Sequence, residues 1–398
     1  MKKILLLLAL FSTSCTVSGA NAEDDNLDQL IIEPVEQLEE EAMMSAFQAD
    51  SLAQLYYTQA IQSYVAQIED DWNSNRLKND GYEMPFEYFI NGDLPDGGYP
   101  LYISLHGGGE TSAEINDEQW ENQKTLYGTV DGIYFVPRSP TDTWNMWHQE
   151  YMEDFLFQIV TYSVARLNAN PSRVYLLGYS AGGDGFYNLA SRMSDRFGAA
   201  AMMAGHPGDA EIENLRNLPF AIYVGENDTA YNRAGLAYEW AMAYEKLHEE
   251  DPYGFEYYIN IYPDTGHWMN GYDREAIGWL SQHVRIATSN RVVWIQDDVL
   301  HTHKHNLEVE APKQGDRVEE YIDFQSNTIY IYTEDYDEVT IWLDDYIANL
   351  DEPVVIMLND QEVFNGMVTR EEQNIIDSVN DRLDPAYIYW GKVTATRE

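Results

Sequence analysis

The chain has 398 residues, 44% hydrophobic and 13% aromatic, enough apolar material for a sizeable core and enough length for two domains. Its 23 basic against 68 acidic residues leave a net charge of −45. That surface repels phosphate backbones and anionic lipid, which excludes nucleic acid as a partner, and the acidic residues are spread so evenly that they read as a solvated surface rather than a binding tail.

Met1-Lys2-Lys3 followed by the apolar run Ile4 to Phe11 has the pattern of a bacterial export signal, too short to span a membrane. Two processing endings compete within an expected signal of residues 1–22. Ala20-Asn21-Ala22 offers a cleavage site, whereas Ser12-Thr13-Ser14-Cys15 resembles a lipobox with Ser12 where an aliphatic residue is usual. Cys15 is the only cysteine, so no disulfide forms within the chain, and lipidation of Cys15 would account for a lone thiol. The expected location is therefore periplasmic or at the cell surface, with an outer-membrane lipoprotein as the anchored form. No later apolar run approaches the ~20 residues a spanning helix needs.

Residues 23–80 read as an extension, acidic up to about Glu33. Leu38, Ala42, Ala46, Ala49, Leu52, Ala53, Tyr56, Ala60, Tyr64 and Ile68 then recur at helical steps and predict one or two amphipathic helices. From residue 81 to 290 strands and helices alternate. Met84 to Ile90 and Tyr99 to Leu105 read as strands separated by a turn-rich linker, and the second runs into His106-Gly107-Gly108-Gly109. A glycine run in that place can turn backbone N–H groups toward a developing oxyanion. An ordinary turn or a phosphate loop is the other reading, but no Gly-Lys-Ser/Thr follows.

Ile133 to Val136 reads as a buried strand. It leads to a loop holding Trp144, Trp147 and His148, which either lines a pocket wall or forms a packed corner. A helix then carries Phe155, Ile159, Val160, Val164 and Leu167 on one face.

Val174-Tyr175-Leu176-Leu177 feeds into Gly178-Tyr179-Ser180-Ala181-Gly182-Gly183, and Phe186 to Ala190 continue at helical spacing. This is the strand, sharp turn and helix of a nucleophile elbow with Ser180 at its tip. Ala181 would supply the second oxyanion N–H, beside Gly107 or Gly108.

Ala199 to Ala204, Phe220 to Gly225 and Tyr257 to Tyr262 are further strands, with a helix from about Asn232 to His248. They end respectively before Gly205-His206, Glu226-Asn227-Asp228 and Gly266-His267-Trp268. Alternation at this spacing argues a mostly parallel sheet, whose ligands bind beyond the carboxyl ends of the strands.

A serine hydroxyl needs a base, and that base needs a carboxylate to hold its tautomer. The order Ser, Asp, His matches Ser180 as nucleophile, Asp228 as orienting acid and His267 as base. Glu226 and Asp264 are alternative acids, and His206 an alternative base that breaks the order. His206 and His106 are otherwise placed beside the pocket, with Trp268 next to the base.

Leu105-His106-Gly107-Gly108-Gly109, Asn116-Asp117-x-x-Trp120, Pro137-Arg138-Ser139-Pro140-Thr141-Asp142-Thr143-Trp144, Gly178 to Gly185, Ala204-Gly205-His206-Pro207 and Gly266-His267-Trp268-Met269 together resemble a family of exported bacterial α/β-hydrolases related to esterases and polyhydroxyalkanoate depolymerase-like proteins. The resemblance covers roughly residues 82–290 and continues more weakly to the end. It implies an α/β-hydrolase fold and a serine hydrolase, most simply a carboxylic ester hydrolase, and supports Ser180, Asp228 and His267 as its triad. The substrate would be a small-molecule or polymer-derived ester. A peptidase of the prolyl-oligopeptidase kind would use the same triad. A non-catalytic carbohydrate-binding chain on a hydrolase fold would have no need of a triad and two oxyanion donors.

Residues 291–398 change pattern. Short strands at Val292 to Ile295, Arg317 to Phe324, Thr328 to Tyr332, Val339 to Leu343, Val354 to Leu358 and Val363 to Val368 predict a small antiparallel β-sandwich, with a hairpin turn at Asn359-Asp360. A late helix at about Arg370 to Leu383 and a closing strand from Ala386 complete it. His301, His303 and His305 would share one face of an extended segment and could hold Zn²⁺ or Cu²⁺. An exposed polar turn explains them equally, so no metal and no other cofactor is expected.

Overall fold

The structure, a computed structural model, describes residues 43–128 and 130–397. The expected signal, Cys15 and the acidic stretch up to residue 42 lie outside the described residues. Two helices open the chain, α1 (Ala46–Gln67) and α2 (Glu69–Asn73). Ser45 caps α1 in a reciprocal box, its Oγ accepting from Gln48 N at 3.3 Å while its own N–H donates to Gln48 Oε1 at 3.0 Å. Ala49, Ala53, Tyr56, Ala60, Ile61, Tyr64 and Val65 form its buried stripe.

Eight strands form the main sheet: β1 (Arg76–Asn79), β2 (Tyr82–Asn91), β3 (Tyr99–Leu105), β4 (Gly132–Pro137), β5 (Ala169–Tyr179), β6 (Ala199–Met203), β7 (Phe220–Gly225) and β8 (Tyr257–Tyr262). Their order is β1-β2-β4-β3-β5-β6-β7-β8, and β4, β3, β5, β6, β7 and β8 run parallel to one another. β1 and β2 are antiparallel at one edge. Every residue of β4, β6 and β7 is buried, as expected for strands covered on both faces. Four long helices cover it: α3 (Ala113–Leu126), α4 (Tyr151–Leu167), α5 (Ala181–Arg192) and α6 (Arg233–Glu250); the short α7 (Ala276–Leu280) follows β8. This mixed α/β arrangement is the α/β-hydrolase fold.

The C-terminal residues build two more sheets. One has five strands in the order β16-β15-β13-β12-β9, drawn from β9 (Arg291–Ile295), β12 (Arg317–Asp323), β13 (Thr328–Tyr332), β15 (Val354–Leu358) and β16 (Gln361–Gly366). The other has four, β10 (His303–Lys304), β11 (Leu307–Glu308), β14 (Glu338–Leu343) and β17 (Gly391–Thr396). The expected hairpin joins β15 to β16 through Asn359 and Asp360 at φ 48° and 65°. The sheets are not wholly antiparallel, however. β14 leaves for the other sheet, so the chain returns to lay β15 parallel to β13.

Helix α8 (Glu372–Arg382) packs on α1, and the Tyr56 hydroxyl bonds to Glu372. Buried ion pairs join the β-rich part to the α/β layer. Arg382 meets Asp195, and Arg285 Nη2 donates to Asp384 Oδ1 at 2.8 Å. Lys304 Nζ donates to Ser191 O at 2.9 Å, and Tyr387 OH to Asp195 O at 2.7 Å. Burial alone would raise the Asp195 carboxyl, yet the charges of Arg382 and Arg196 hold it well below the ordinary range.

The histidine run does not form a one-faced triplet. His305 takes a left-handed φ of 52°, which ends the extended segment after Lys304. His301 Nε2 lies 3.1 Å from Glu153 Oε2 and His303 Nε2 lies 3.5 Å from Glu308 Oε2, while the His305 ring is buried edge-on to Tyr387. Among the described residues no helix is long and apolar enough to cross a membrane.

Candidate active site

Ser180 sits between β5 and α5 with φ 56° and ψ −120°, a strained conformation for a residue with a side chain. Three contacts hold it there. Its N–H donates to Met203 O at the end of β6 at 2.9 Å, and its carbonyl accepts from Asp184 N at 2.9 Å. At Gly182 a Cβ would fall 2.3 Å from Leu105 O, so only glycine lets the elbow helix touch the end of β3.

The loop after β3 passes directly over the elbow. A Cβ on Gly107 would lie 3.2 Å from Ser180 Cβ. Gly108 has φ 111°, and a Cβ there would lie 2.0 Å from Asn116 Oδ1. Asn116 Oδ1 accepts from Gly109 N at 2.8 Å, while Asn116 Nδ2 donates to Asp142 Oδ1 at 2.8 Å. Arg138 clamps the far end, donating to Asp117 Oδ1 at 2.8 Å and Asp142 Oδ1 at 2.6 Å. The glycine loop is thus tied to α3 and to the loop after β4. Ala181 is the first residue of α5, so its N–H has no partner within the helix.

His267 Nδ1 is 2.7 Å from Asp228 Oδ2. Asp228 is 2% exposed and His267 32%, so the acid is desolvated while the base keeps an open side. The two loops are stitched by Asn227 N donating to Thr265 O at 2.8 Å and Glu226 N to Tyr262 O at 2.9 Å. The alternative acids point elsewhere. Glu226 is exposed and accepts from Asp264 N at 3.1 Å; Asp264 is exposed on the same turn.

Ser180, His267, Gly107 and Gly108 line one cleft of ≈ 210 Å³. Its first wall is a stripe of α3: Ile115, Gln119, Asn122, Gln123 and Leu126. Its second wall is Trp268, 55% exposed and stacked on Tyr179 at 5.2 Å. The Tyr179 hydroxyl in turn bonds to the carbonyl of His267.

The other proposed pocket residues do not line this cleft. His106 is fully buried. Its Nε2 accepts from Ser139 N at 3.2 Å, which leaves Nδ1 to donate to Gly107 O at 2.6 Å. Burial, assisted by the Arg138 charge, lowers its pKa to about 3, so it is a neutral prop beneath the glycine loop. Trp147 is buried beside it and donates from Nε1 to His106 O at 2.8 Å. Trp144 is exposed, edge-on to His148 at 5.2 Å, and His148 is bonded to Asn188 on α5. His206 lies at the carboxyl end of β6, its N–H donating to Asp184 Oδ1 at 2.7 Å and its Nδ1 accepting from Gly208 N at 2.9 Å.

Sequence reasoning missed Asn116 as the anchor of the glycine loop and α3 as a wall. The amide stripe at Gln119, Asn122 and Gln123 is the signal that could have found it. It also missed Asp184, whose pKa burial raises to about 6 against the opposing pull of Arg233. One carboxylate group, Asp209, Asp297 and Asp298, brings ligand atoms within 4.8 Å of one another. Arg192 already pairs with two of them, reaching Asp297 Oδ2 at 3.7 Å and Asp298 more closely.

No protein-family model and no curated protein sequence matches the chain. Solved structures do resemble it in part. A thermostable esterase aligns at 21% identity over 53% of this chain and 62% of its own, with a TM-score of 0.41. A ferulic acid esterase aligns at 16% over 52% and 96%, TM-score 0.36, and fluorophosphonate-binding serine hydrolase F of Staphylococcus aureus at 13% over 52% and 96%, TM-score 0.37.

Proposed function

We propose that this chain is an exported serine hydrolase that cleaves a carboxylic ester through an acyl-enzyme on Ser180. One observation carries the reading: the 2.7 Å Asp228–His267 pair opens into the same cleft as a serine held at φ 56° on an elbow. Asp228 fixes the proton on His267 Nδ1, leaving Nε2 to take the Ser180 proton as Oγ attacks the ester carbonyl. The N–H groups of Ala181 and of Gly107 or Gly108 receive the oxyanion. The tetrahedral species collapses as His267 returns the proton to the leaving alkoxide, and water repeats the cycle on the acyl-enzyme to release the acid.

Apart from His267 and Tyr179, no side chain lining the cleft among the described residues is ionisable, although the chain carries −45. With ≈ 210 Å³ available, this favours a compact neutral acyl group over a long lipid chain. Labelling of the folded protein by a fluorophosphonate probe tests the reading. Ser180→Ala and His267→Ala should abolish the label, and p-nitrophenyl acetate should turn over faster than the decanoate. A folded wild type that takes no label overturns the mechanism. Export rests on the charged start and apolar run of residues 1–11, and anchoring rests on Cys15. Loss of membrane association in Cys15→Ala cells tests the anchor.

A further inference from the structure

A second concavity of ≈ 420 Å³ opens far from Ser180 along the strands. Arg216, Asp251 and Tyr253 reach it from the segments before β7 and β8, whereas Ser180, Asp228 and His267 follow carboxyl strand ends. Its other wall is the outer face of the five-stranded sheet. Pairing sets Arg291 opposite Tyr321 and Tyr321 opposite Tyr330, with Glu319 opposite Tyr332 one step along. Strand alternation therefore puts these five side chains on one face. Three tyrosines stand open around the concavity: Tyr253 is 92% exposed, Tyr321 44% and Tyr332 40%.

Between the rings lies a balanced network of charges. Arg216 Nε donates to Asp251 Oδ2 at 2.7 Å; Arg291 donates to Asp251 at 3.1 Å and to Glu319 at 3.0 Å. Glu319 also accepts from Arg317 at 2.7 Å, and Arg317 donates in turn to Glu213 at 2.7 Å, so three guanidiniums and three carboxylates cancel here, in a chain of −45. An anionic ligand would meet Asp251 and Glu319, and a cationic one would have to displace an arginine. A purely apolar ligand would desolvate the ion pairs without replacing their hydrogen bonds to water. A peptide strand would need an open sheet edge, and the edge of β9 is already occupied: Asn214 bonds to both N and O of Ile295, and Asn217 Nδ2 donates to Arg291 O at 2.9 Å.

We infer that this groove binds an uncharged oligosaccharide chain. The C–H faces of its sugar rings stack on Tyr253, Tyr321 and Tyr332, while its hydroxyls accept from Arg291 and donate to the remaining lone pair of Glu319. Binding here is independent of the Ser180 chemistry. Taken with that reading, it makes the substrate an ester carried on a polysaccharide to which the enzyme is tethered.

Native gel electrophoresis of the full chain carrying Ser180→Ala, in gels containing soluble arabinoxylan, hydroxyethylcellulose, galactomannan or laminarin, tests it. At least one polymer should retard the protein, and high salt should leave the retardation unchanged. Adding Tyr253→Ala and Tyr332→Ala should weaken the apparent affinity about tenfold with an unchanged circular dichroism melt. In the Ser180 background, the same pair should leave p-nitrophenyl acetate hydrolysis intact, so failure of the esterase reading and of this one are separable. No retardation in any of the four gels, retardation lost in salt, or equal retardation of the tyrosine variant overturns the inference.

Discussion

The Ser180 cleft and the seam between the α/β layer and the C-terminal sheets use polar groups in opposite ways. In the seam Asp195, Arg285, Lys304, Arg382 and Asp384 are all buried, and each is bonded to a partner across the junction. Burial alone would raise Asp384, but Arg285 holds it down to about 2; Lys304 is pushed down to about 8 by its burial. At the cleft the Asp228 carboxylate is buried and paired behind His267, while Ser180, the Ala181 N–H and the open side of His267 are left for an incoming molecule. Charge that need never move is locked away in pairs, and polarity that must meet substrate is held in place by backbone geometry. Variants in the two regions should therefore fail differently.

The largest effect belongs to the cleft. Ser180→Ala should lower kcat by about 10⁶ and Asp228→Asn by about 10⁴, with thermal melts within a few degrees of wild type. Initial rates at known protein concentration and calorimetry check this, and a melt that collapses with the activity would break the contrast. The seam should show the reverse. Arg382→Ala leaves Asp195 charged and buried, at a cost of about 3–5 kcal/mol in stability, while kcat per folded molecule stays near wild type. Urea denaturation alongside active-site titration separates the two quantities.

Gly108→Ala probes a place where geometry alone does the work. The new Cβ would fall 2.0 Å from Asn116 Oδ1 at a φ of 111°, so the loop must shift away from Ser180. A fall in kcat of about 10²–10³, with KM nearly unchanged, is expected if the loop supplies an oxyanion donor. Equal loss of kcat in Asn116→Ala would show that the anchor and the loop act as one unit; an active Gly108→Ala would remove the loop from the mechanism.

Which parts of this were legible beforehand follows from what leaves a trace in sequence. Strands β3 to β7 are covered on both faces, so they appear as near-continuous apolar runs ending in chemistry-bearing loops. The elbow and the order Ser180, Asp228, His267 were readable for the same reason. Helix α3 was not, because its buried positions are Asn116 and Gln123 and the face toward the cleft sets three amides between Ile115 and Leu126, which leaves no continuous apolar stripe to count. His106 and Trp147 look alike as pocket or packing until the glycine loop is seen resting on them. The parallel β13–β15 pair was hidden because alternation is the same for either strand direction.

The smallest effect sharpens the contrast at a charge that has no ion partner. Glu320 on β12 is fully buried, Asn306 donates to its Oε1 at 2.7 Å, and its Oε2 has no hydrogen-bond partner. Burial raises its pKa from 4.5 to about 7, only partly offset by the Asn306 bond. The folded chain thus keeps a proton between about pH 4.5 and 7 that the unfolded chain gives up. Its contribution to stability is complete below the lower value, declines as pH rises through the upper one, and is flat beyond. Glu320→Gln keeps the Asn306 bond and removes the titration. The difference in unfolding free energy between variant and wild type should be pH-independent below about 4.5 and grow in favour of the variant by about 2–3 kcal/mol by pH 8. Urea melts of both proteins at pH 4.5, 6 and 8 read that difference directly, since the paired carboxylates of the seam titrate alike in both and cancel. Parallel curves across the range would mean that Glu320 finds a compensating partner in solution and that unpaired burial is not tolerated even away from the seam.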